Sequence, residues 1–257
     1  MLKLYGGRKT FNNVLHSYIR QLYKKEITFH KEPCNSKILS AKYLATSSSD
    51  EKSKGFCIDK PTKWPSGKPA NFKLHQVTEA ILNEQINAEL KAFYYYLSMA
   101  AYFGRADVAL PGCESFFMQM HHEEHEHALR FVNYVKMRGG CVHLCPIQSP
   151  DDQDWKCPLH AFKTALELET EITEKLVAVN TVAETYSDLN ASDFIVTGFM
   201  EDQMKSVNEM GRFVAILSGI GDQALARFIF DKDLLENHVT PKFNILHTKM
   251  RPNGNDN

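Results

Sequence analysis

The sequence predicts an all-α fold, a four-helix bundle with one long crossover and a short fifth helix. Two observations support this prediction. Four stretches of about 28 residues carry apolar residues at helical spacing, and no stretch sustains the alternation of a β-strand. At 1.5 Å per residue, each stretch would form a rod about 40 Å long. Rods of equal length pack side by side as a bundle.

Local signals set the bounds of each predicted helix. Proline at the first position begins the second and third helices, and glycines follow the first, second and fourth. Thr78 and Asp222 are the predicted N-caps of the first and fifth helices. The expected helices are Gln76–Phe103, Pro111–Arg138, Pro158–Tyr186, Leu189–Ser218 and Gln223–Leu235.

The segment from Gly139 to Cys157 separates the second and third helices. It is polar and contains Pro146 and Pro150. Its nineteen residues, when extended, reach about 60 Å, which is enough to return along the whole bundle. The second and third helices are therefore expected to be parallel, whereas the shorter connections suit antiparallel neighbours.

Charge divides the chain into a basic leader and an acidic body. Residues 1–70 contain 14 Lys/Arg and five Asp/Glu, a balance of +9, and residues 71–257 have a balance of −10. The acidic part repels phosphate, which argues against nucleic acid as a partner, and no apolar run is long enough for a membrane span. The predicted domains are a basic N-terminal extension (1–70), a helical metal-binding domain (71–235) and a C-terminal tail (236–257).

The first acidic residue is Glu26, and the residues before it are basic with apolar positions at helical spacing. This pattern is typical of a mitochondrial transit peptide, and there is no secretory signal. We therefore expect a mitochondrial location. The alternative is a disordered basic tail on a cytoplasmic protein. The stretch 47–68, rich in Ser, Lys, Gly and Pro, indicates a linker.

Six cysteines form no CxxC motif. The segment Cys141-Val-His143-Leu-Cys145 offers metal-binding side chains, but isolated thiols in a reducing compartment explain it better. Without a secretory signal, no disulfides are predicted.

Each of the four long helices places one oxygen-bearing side chain in the middle of its apolar stripe: Glu89, Glu124, Glu169 and Gln203. A single such residue is explained by a hydrogen-bonded buried carboxylate or a misassigned helix face. Three carboxylates repel one another in a low-dielectric core, and their stripes carry no Lys or Arg. A bound cation is therefore the simplest explanation.

His127 follows Glu124 by three residues, so both side chains lie on one helix face. Carboxylates with one imidazole suit iron or manganese better than thiolate-rich sites do. If one glutamate bridges two ions, the result is a two-metal centre, and an open coordination position would let dioxygen bind.

The same stretch allows a second interpretation. His121-His122-Glu123-Glu124-His125 matches the inverted zinc-metallopeptidase pattern H-x-x-E-H. So short a pattern arises often by chance, and His125 points only partly toward the inward face. This interpretation also leaves the polar residues of the other three helices unexplained. The simplest interpretation of His122 and His125 is that they lie on the solvated surface.

Five sequence motifs closely resemble those of animal ferritin heavy chains, and the resemblance runs from about Asn71 to Leu235. They are Gln85-Ile86-Asn87-Ala88-Glu89-Leu90, Tyr96-Leu97-Ser98-Met99, Asp107-Val108-Ala109-Leu110, His122-Glu123-Glu124-His125-Glu126-His127-Ala128 and Phe230-Asp231-Lys232. The resemblance implies a ferroxidase that oxidises Fe(II) to Fe(III) with dioxygen at a diiron centre. It also implies iron storage as mineral inside a cage of twenty-four subunits, built from this chain alone or with other ferritin chains.

The resemblance further implies the metal ligands. Glu89, Glu124 and His127 resemble the ligands of the first iron, with Glu124 bridging. Glu169 resembles the ligand of the second iron. Gln203 matches the glutamine that faces this site, with water between them.

Two further positions bear on the catalytic type. Tyr96 resembles the tyrosine beside the diiron centre. Taken alone, it is also explained as a core aromatic with a bonded hydroxyl. Light chains lack several of the ligands, and this chain keeps all of them. Helix-bundle oxygenases carry a second Glu-x-x-His, whereas Ile172 follows Glu169 here, which favours iron oxidation.

The chain also departs from the resemblance. Asp193 matches an acid of the family's three-fold ion channel, but Val196 stands where a glutamate is expected. Glu123 and Glu126 match acids of the inner surface that nucleate mineral, whereas Leu129 replaces a third. These departures favour the alternative of a non-catalytic structural cage subunit. Asp233 would face a four-fold channel that is usually apolar or lined by His, and the C-terminal tail has no recognised counterpart.

Overall fold

The computed structural model describes residues 71–248, and the predicted transit peptide and linker lie outside the described residues. The all-helical prediction is confirmed: the described chain contains helices and no strand. None of its helices combines the length and apolarity needed to cross a membrane. The elements are α1 (Gln76–Phe103), α2 (Pro111–Met137), α3 (Pro158–Thr185), α4 (Leu189–Ile195), a π-helical turn (Val196–Met200), α5 (Glu201–Ile220), α6 (Ala224–Asn237) and α7 (Ile245–Thr248).

Side-chain contacts fix the directions of the helices. The contacts are Phe93–His121 and Phe103–Phe117 between α1 and α2, and Lys91–Glu171 and Tyr96–Glu169 between α1 and α3. In both pairs the partner's number falls as the α1 number rises, so α2 and α3 each run antiparallel to α1. They are therefore parallel to each other, as the long crossover predicts.

Side chains of α1 accept hydrogen bonds from the start of the crossover and hold it in an extended conformation. The backbone N–H groups of Cys141, His143 and Cys145 donate to Glu79 Oε1 (2.6 Å), Asn83 Oδ1 (2.7 Å) and Asn87 Oδ1 (3.0 Å). Four helical residues rise about 6 Å, close to the rise of two strand residues, so the two repeats match. Cys141 and Cys145 thus lie about 13 Å apart along the segment, too far to share one metal ion. Both are free thiols.

Both predicted N-caps are wrong. The N-cap of α1 is His75, whose Nδ1 accepts from Val77 N–H at 3.2 Å, whereas Thr78 is fully buried within the first turn. Gln223 is the N-cap of α6, and no side chain caps it. Asp222 instead pairs with Arg227, accepting from Nε at 2.5 Å, because a guanidinium is a stronger partner for a carboxylate than a neutral backbone amide.

The fourth long helix is not a single regular α-helix. It begins after Asp188, which accepts from Ala191 N–H at 3.0 Å, and ends before Gly221 at φ 75°. Between α4 and α5 the π-helical turn inserts an extra residue per turn. Arg130 on α2 donates to the Gly198 carbonyl of this turn at 2.7 Å, so a cross-helix bond satisfies an acceptor there.

Helix α6 packs across the N-terminus of α2. Asp231 accepts from Gly112 N–H at 3.0 Å and from Cys113 N–H at 2.7 Å. These amides have no partner within their own helix, and they carry the positive end of its dipole. The buried Phe230 packs edge-on against Phe162 and Phe213. The fifth helix is therefore part of the aromatic core at this end of the bundle.

Candidate metal centre

Four helices each contribute one buried polar side chain to the interior of the bundle. Glu89 on α1, Glu124 on α2, Glu169 on α3 and Gln203 on α5 are between 0% and 4% exposed. Their inward placement follows from helical periodicity, since each lies among apolar residues of its own stripe.

Glu89, Glu124 and His127 form a compact group. One ligand atom from each lies within 4.8 Å of the others, and His127 Nδ1 is 3.6 Å from Glu124 Oε2. Oε2 of Glu89 and Oε2 of Glu124 are buried and accept no hydrogen bond. Buried carboxylate oxygens are normally bonded or bound to a cation. The three residues therefore fit one metal ion.

Glu169 lies beside this group but is held differently. Tyr96 O–H donates to its Oε1 at 2.5 Å, and Gln203 Nε2 donates to its Oε2 at 2.5 Å and to its backbone carbonyl at 3.2 Å. Both carboxylate oxygens thus have a donor and a fixed direction. Gln203 serves here as a hydrogen-bond donor that orients Glu169, and Tyr96 is fully buried.

Gln85 is a residue that sequence reasoning missed. It is buried, and its Nε2 donates to Glu89 Oε1 at 2.7 Å, while its own Oε1 has no partner. This bond leaves the other oxygen of Glu89 available to a cation. Its position could have identified it, because Gln85 lies four residues before Glu89 on the same apolar stripe.

Phe199 of the π-helical turn and Arg130 of α2 pack next to the centre. The Phe199 ring meets His127 edge-on at 5.7 Å between centroids, and the Arg130 guanidinium lies 4.1 Å from the Phe199 centroid. Phe199 is 4% exposed. The extra residue of the π-helical turn could not be read from spacing alone, so these contacts were not predicted.

Burial and mutual repulsion disfavour ionised carboxylates in the centre. Burial raises the pKa of Glu89 well above its ordinary value, and the charge of Glu124 raises it further. Burial also raises the pKa of Glu124, followed by the charge of Glu169. For Glu169, burial raises the pKa while the bonds from Tyr96 and Gln203 oppose the rise. A cation that binds here removes the repulsion, and its binding competes with protonation of these carboxylates.

Burial and this repulsion together predict a pH dependence of the metal-free protein. Glutamates with a raised pKa bind more protons in the folded than in the unfolded state, so the free energy of unfolding falls as pH rises above their ordinary pKa of 4.5. We expect Glu124→Gln to weaken this fall and to raise the melting temperature near pH 8 by about 3 °C, the shift that roughly 1 kcal/mol produces. Thermal unfolding monitored by circular dichroism measures both.

Glu167→Gln is the matched control, because Glu167 is an exposed acid on α3. It should leave the pH dependence unchanged. Glu171, by contrast, has a lowered pKa, because Lys175 and Lys91 stabilise its charged form. Its effect on the pH dependence of stability is therefore opposite to that of Glu89 and Glu124. An unaltered dependence of stability on pH in Glu124→Gln would contradict the raised pKa of Glu124.

The histidines of the zinc-peptidase interpretation lie elsewhere. His121 stacks on Phe93 at 4.0 Å, and its Nδ1 lies 2.9 Å from the Phe93 carbonyl oxygen. His125 also meets Phe93, at 5.5 Å. Within residues 71–248, only Glu89, Glu124 and His127 form a group of three metal-binding side chains. Glu124 is thus grouped with His127 rather than with His121 and His125.

The remaining predicted residues lie outside the centre. Glu123 is half-buried, and burial raises its pKa. Glu126 and Asp193 are exposed, as are Val196 and Leu129.

Comparisons with known proteins agree with this geometry. The family profile for the ferritin-like domain matches residues 79–220, which include all five predicted ligands. Among curated proteins, the soma ferritin of Lymnaea stagnalis is 39% identical over 166 residues, which make up 65% of this chain and 95% of that protein.

Proposed function

This chain belongs to the ferritin family, whose members store iron, and we propose that it is a catalytic subunit. It oxidises Fe(II) to Fe(III) with dioxygen at a diiron centre and stores the product as mineral inside a cage. The observation that carries this proposal is the pair of unpartnered buried oxygens on Glu89 and Glu124 beside His127.

The donor set suits iron as the substrate. Glu89 and His127 hold one Fe(II), Glu124 bridges, and Glu169 holds the second in the direction that Tyr96 and Gln203 set. Two Fe(II) supply two electrons, which reduce one dioxygen to the peroxide level. Carboxylates in a low-dielectric interior stabilise Fe(III) more than Fe(II), so part of the driving force is electrostatic.

Stopped-flow oxidation of Fe(II) by the purified protein tests this function. We expect a fast phase that saturates at about two Fe(II) per chain, one for each half of the centre. Metal analysis of the anaerobically loaded protein should give the same ratio. A protein that binds iron yet shows only the slow background oxidation would contradict the proposal.

A structural cage subunit is the second candidate. Val196 and Leu129 favour it, because both are exposed at positions where acids were expected. Native mass spectrometry and the oxidation assay on the pure protein separate the two candidates. A particle of about twenty-four chains with the fast phase supports the catalytic subunit. The same particle without the fast phase supports the structural one.

We also propose a mitochondrial location, directed by the basic N-terminal extension. A fluorescent reporter fused to residues 1–60 is expected to enter mitochondria. A control with Arg8, Lys9 and Arg20 replaced by Gln should stay in the cytoplasm, because transit peptides depend on their positive charge. Diffuse cytoplasmic fluorescence from the unaltered fusion would contradict this proposal.

A further inference from the structure

The chain after α6 contacts both α5 and α2. We name residues 238–248 the C-terminal strap. His238 Nδ1 lies 3.0 Å from Glu209 Oε1 on α5, and Thr240 N–H donates to Gln119 Oε1 on α2 at 2.9 Å. The strap is therefore attached to both helices. It lies beyond residues 79–220, which the family profile matches.

Further contacts hold the strap along α2. Ile245 N–H donates to Ser115 Oγ at 3.3 Å, and the Phe243 ring lies 5.3 Å from the ring of His122. Val239 is 9% exposed and belongs to the hydrophobic core. Buried apolar side chains and backbone hydrogen bonds together keep the strap in place.

Gln119 connects the strap to an acid at the edge of the metal centre. Its Oε1 accepts from Thr240, while its Nε2 donates to Glu123 Oε1 at 3.3 Å. Glu123 precedes Glu124, and it interacts electrostatically with His127, Glu169 and Glu209. Glu123 is half-buried, so part of its side chain reaches solvent next to the buried Glu124.

We propose that the C-terminal strap, acting through Gln119, positions Glu123 next to the metal centre and slows the exchange of metal ions there. The side-chain amide of Gln119 has an acceptor oxygen and a donor nitrogen. Because the oxygen accepts from Thr240, the nitrogen is directed toward Glu123. This proposal rests on the proposed function, because it requires the centre to bind metal. It does not require the centre to oxidise iron.

Release of Co(II) into excess chelator tests the strap without redox chemistry. The whole protein is loaded with Co(II), and the loss of its ligand-field absorption is followed. Gln119→Leu removes both bonds, and deletion of residues 239–257 removes Thr240. Each should speed release about fivefold, the factor that one lost hydrogen bond corresponds to. The Co(II) spectrum and stoichiometry should stay unchanged.

Combining the two changes separates positioning from general loosening. Both act through Gln119, so the double variant should release Co(II) no faster than either single variant. Gln148→Leu, at an exposed position of the crossover, is the control and should release at the original rate. Unchanged release in Gln119→Leu, or multiplied effects in the double variant, would overturn the proposal.

The outcomes also separate the strap from the proposed function. If the protein binds Co(II) but lacks fast Fe(II) oxidation, the ferroxidase proposal fails, and the release rates still decide on the strap. If the protein binds no Co(II), both proposals fall.

Discussion

Replacing Glu124 by glutamine is expected to abolish the fast phase of Fe(II) oxidation, slowing it by at least about 100-fold. Glu124 is the predicted bridge, and its Oε2 is one of the two buried carboxylate oxygens without a hydrogen bond among the described residues. An amide keeps the shape of the side chain but carries no charge. Losing an outer-shell partner of a metal ligand already costs about 10- to 100-fold, so losing the bridge should cost more. Stopped-flow absorbance of the Fe(III) product measures the change.

The control again is Glu167→Gln, which removes one charge from the outer face of α3. It should keep the fast phase within about twofold, as expected for an exposed substitution. Glu124→Gln should remain folded, because it relieves repulsion among buried carboxylates. A fast phase of normal rate and amplitude in a folded Glu124→Gln would remove the diiron centre from this position.

The second large effect is expected from Gly112→Ala at the junction of α2 and α6. A Cβ at Gly112 would lie 1.9 Å from the backbone oxygen of Asp231 and 2.8 Å from its carbonyl carbon. Because these are backbone atoms, α6 must move away. Asp231 then loses its bonds to Gly112 and Cys113, and Phe230 loses part of its packing. Overpacking and lost charged bonds together should cost at least about 3 kcal/mol.

Such a loss lowers the melting temperature by roughly 6–12 °C for a domain of this size. Gly219→Ala is the matched control, because nothing lies within 4 Å of a Cβ at this position in α5. Alanine there should stabilise slightly, by about 0.5–1 kcal/mol. Calorimetry of the metal-free variants compares the two. Equal melting temperatures for Gly112→Ala and the unaltered protein would contradict the tight docking of α6.

Local signals predicted the helices well because they act within a few residues. Pro111 and Pro158 begin α2 and α3, and Gly104 follows α1. The two predicted N-caps were wrong because other groups compete for the same side chains and amides. Asp222 pairs with Arg227, and His75 accepts from the amide of Val77. The π-helical turn also escaped prediction, since residues 189–218 keep an ordinary apolar pattern, while the turn's carbonyl is satisfied by Arg130 from another helix.

The sequence by itself determined which side chains share a helix face, and hence that three glutamates, His127 and a glutamine belong to apolar stripes. Helical periodicity decides this, because its repeat involves only neighbouring residues. Only the tertiary structure decided which carboxylate oxygens keep no partner, and that Gln119 links the C-terminal strap to Glu123. Thr240 and Gln119 are separated by 121 positions. Hydrogen bonds over such separations depend on how the helices pack, and no local pattern encodes them.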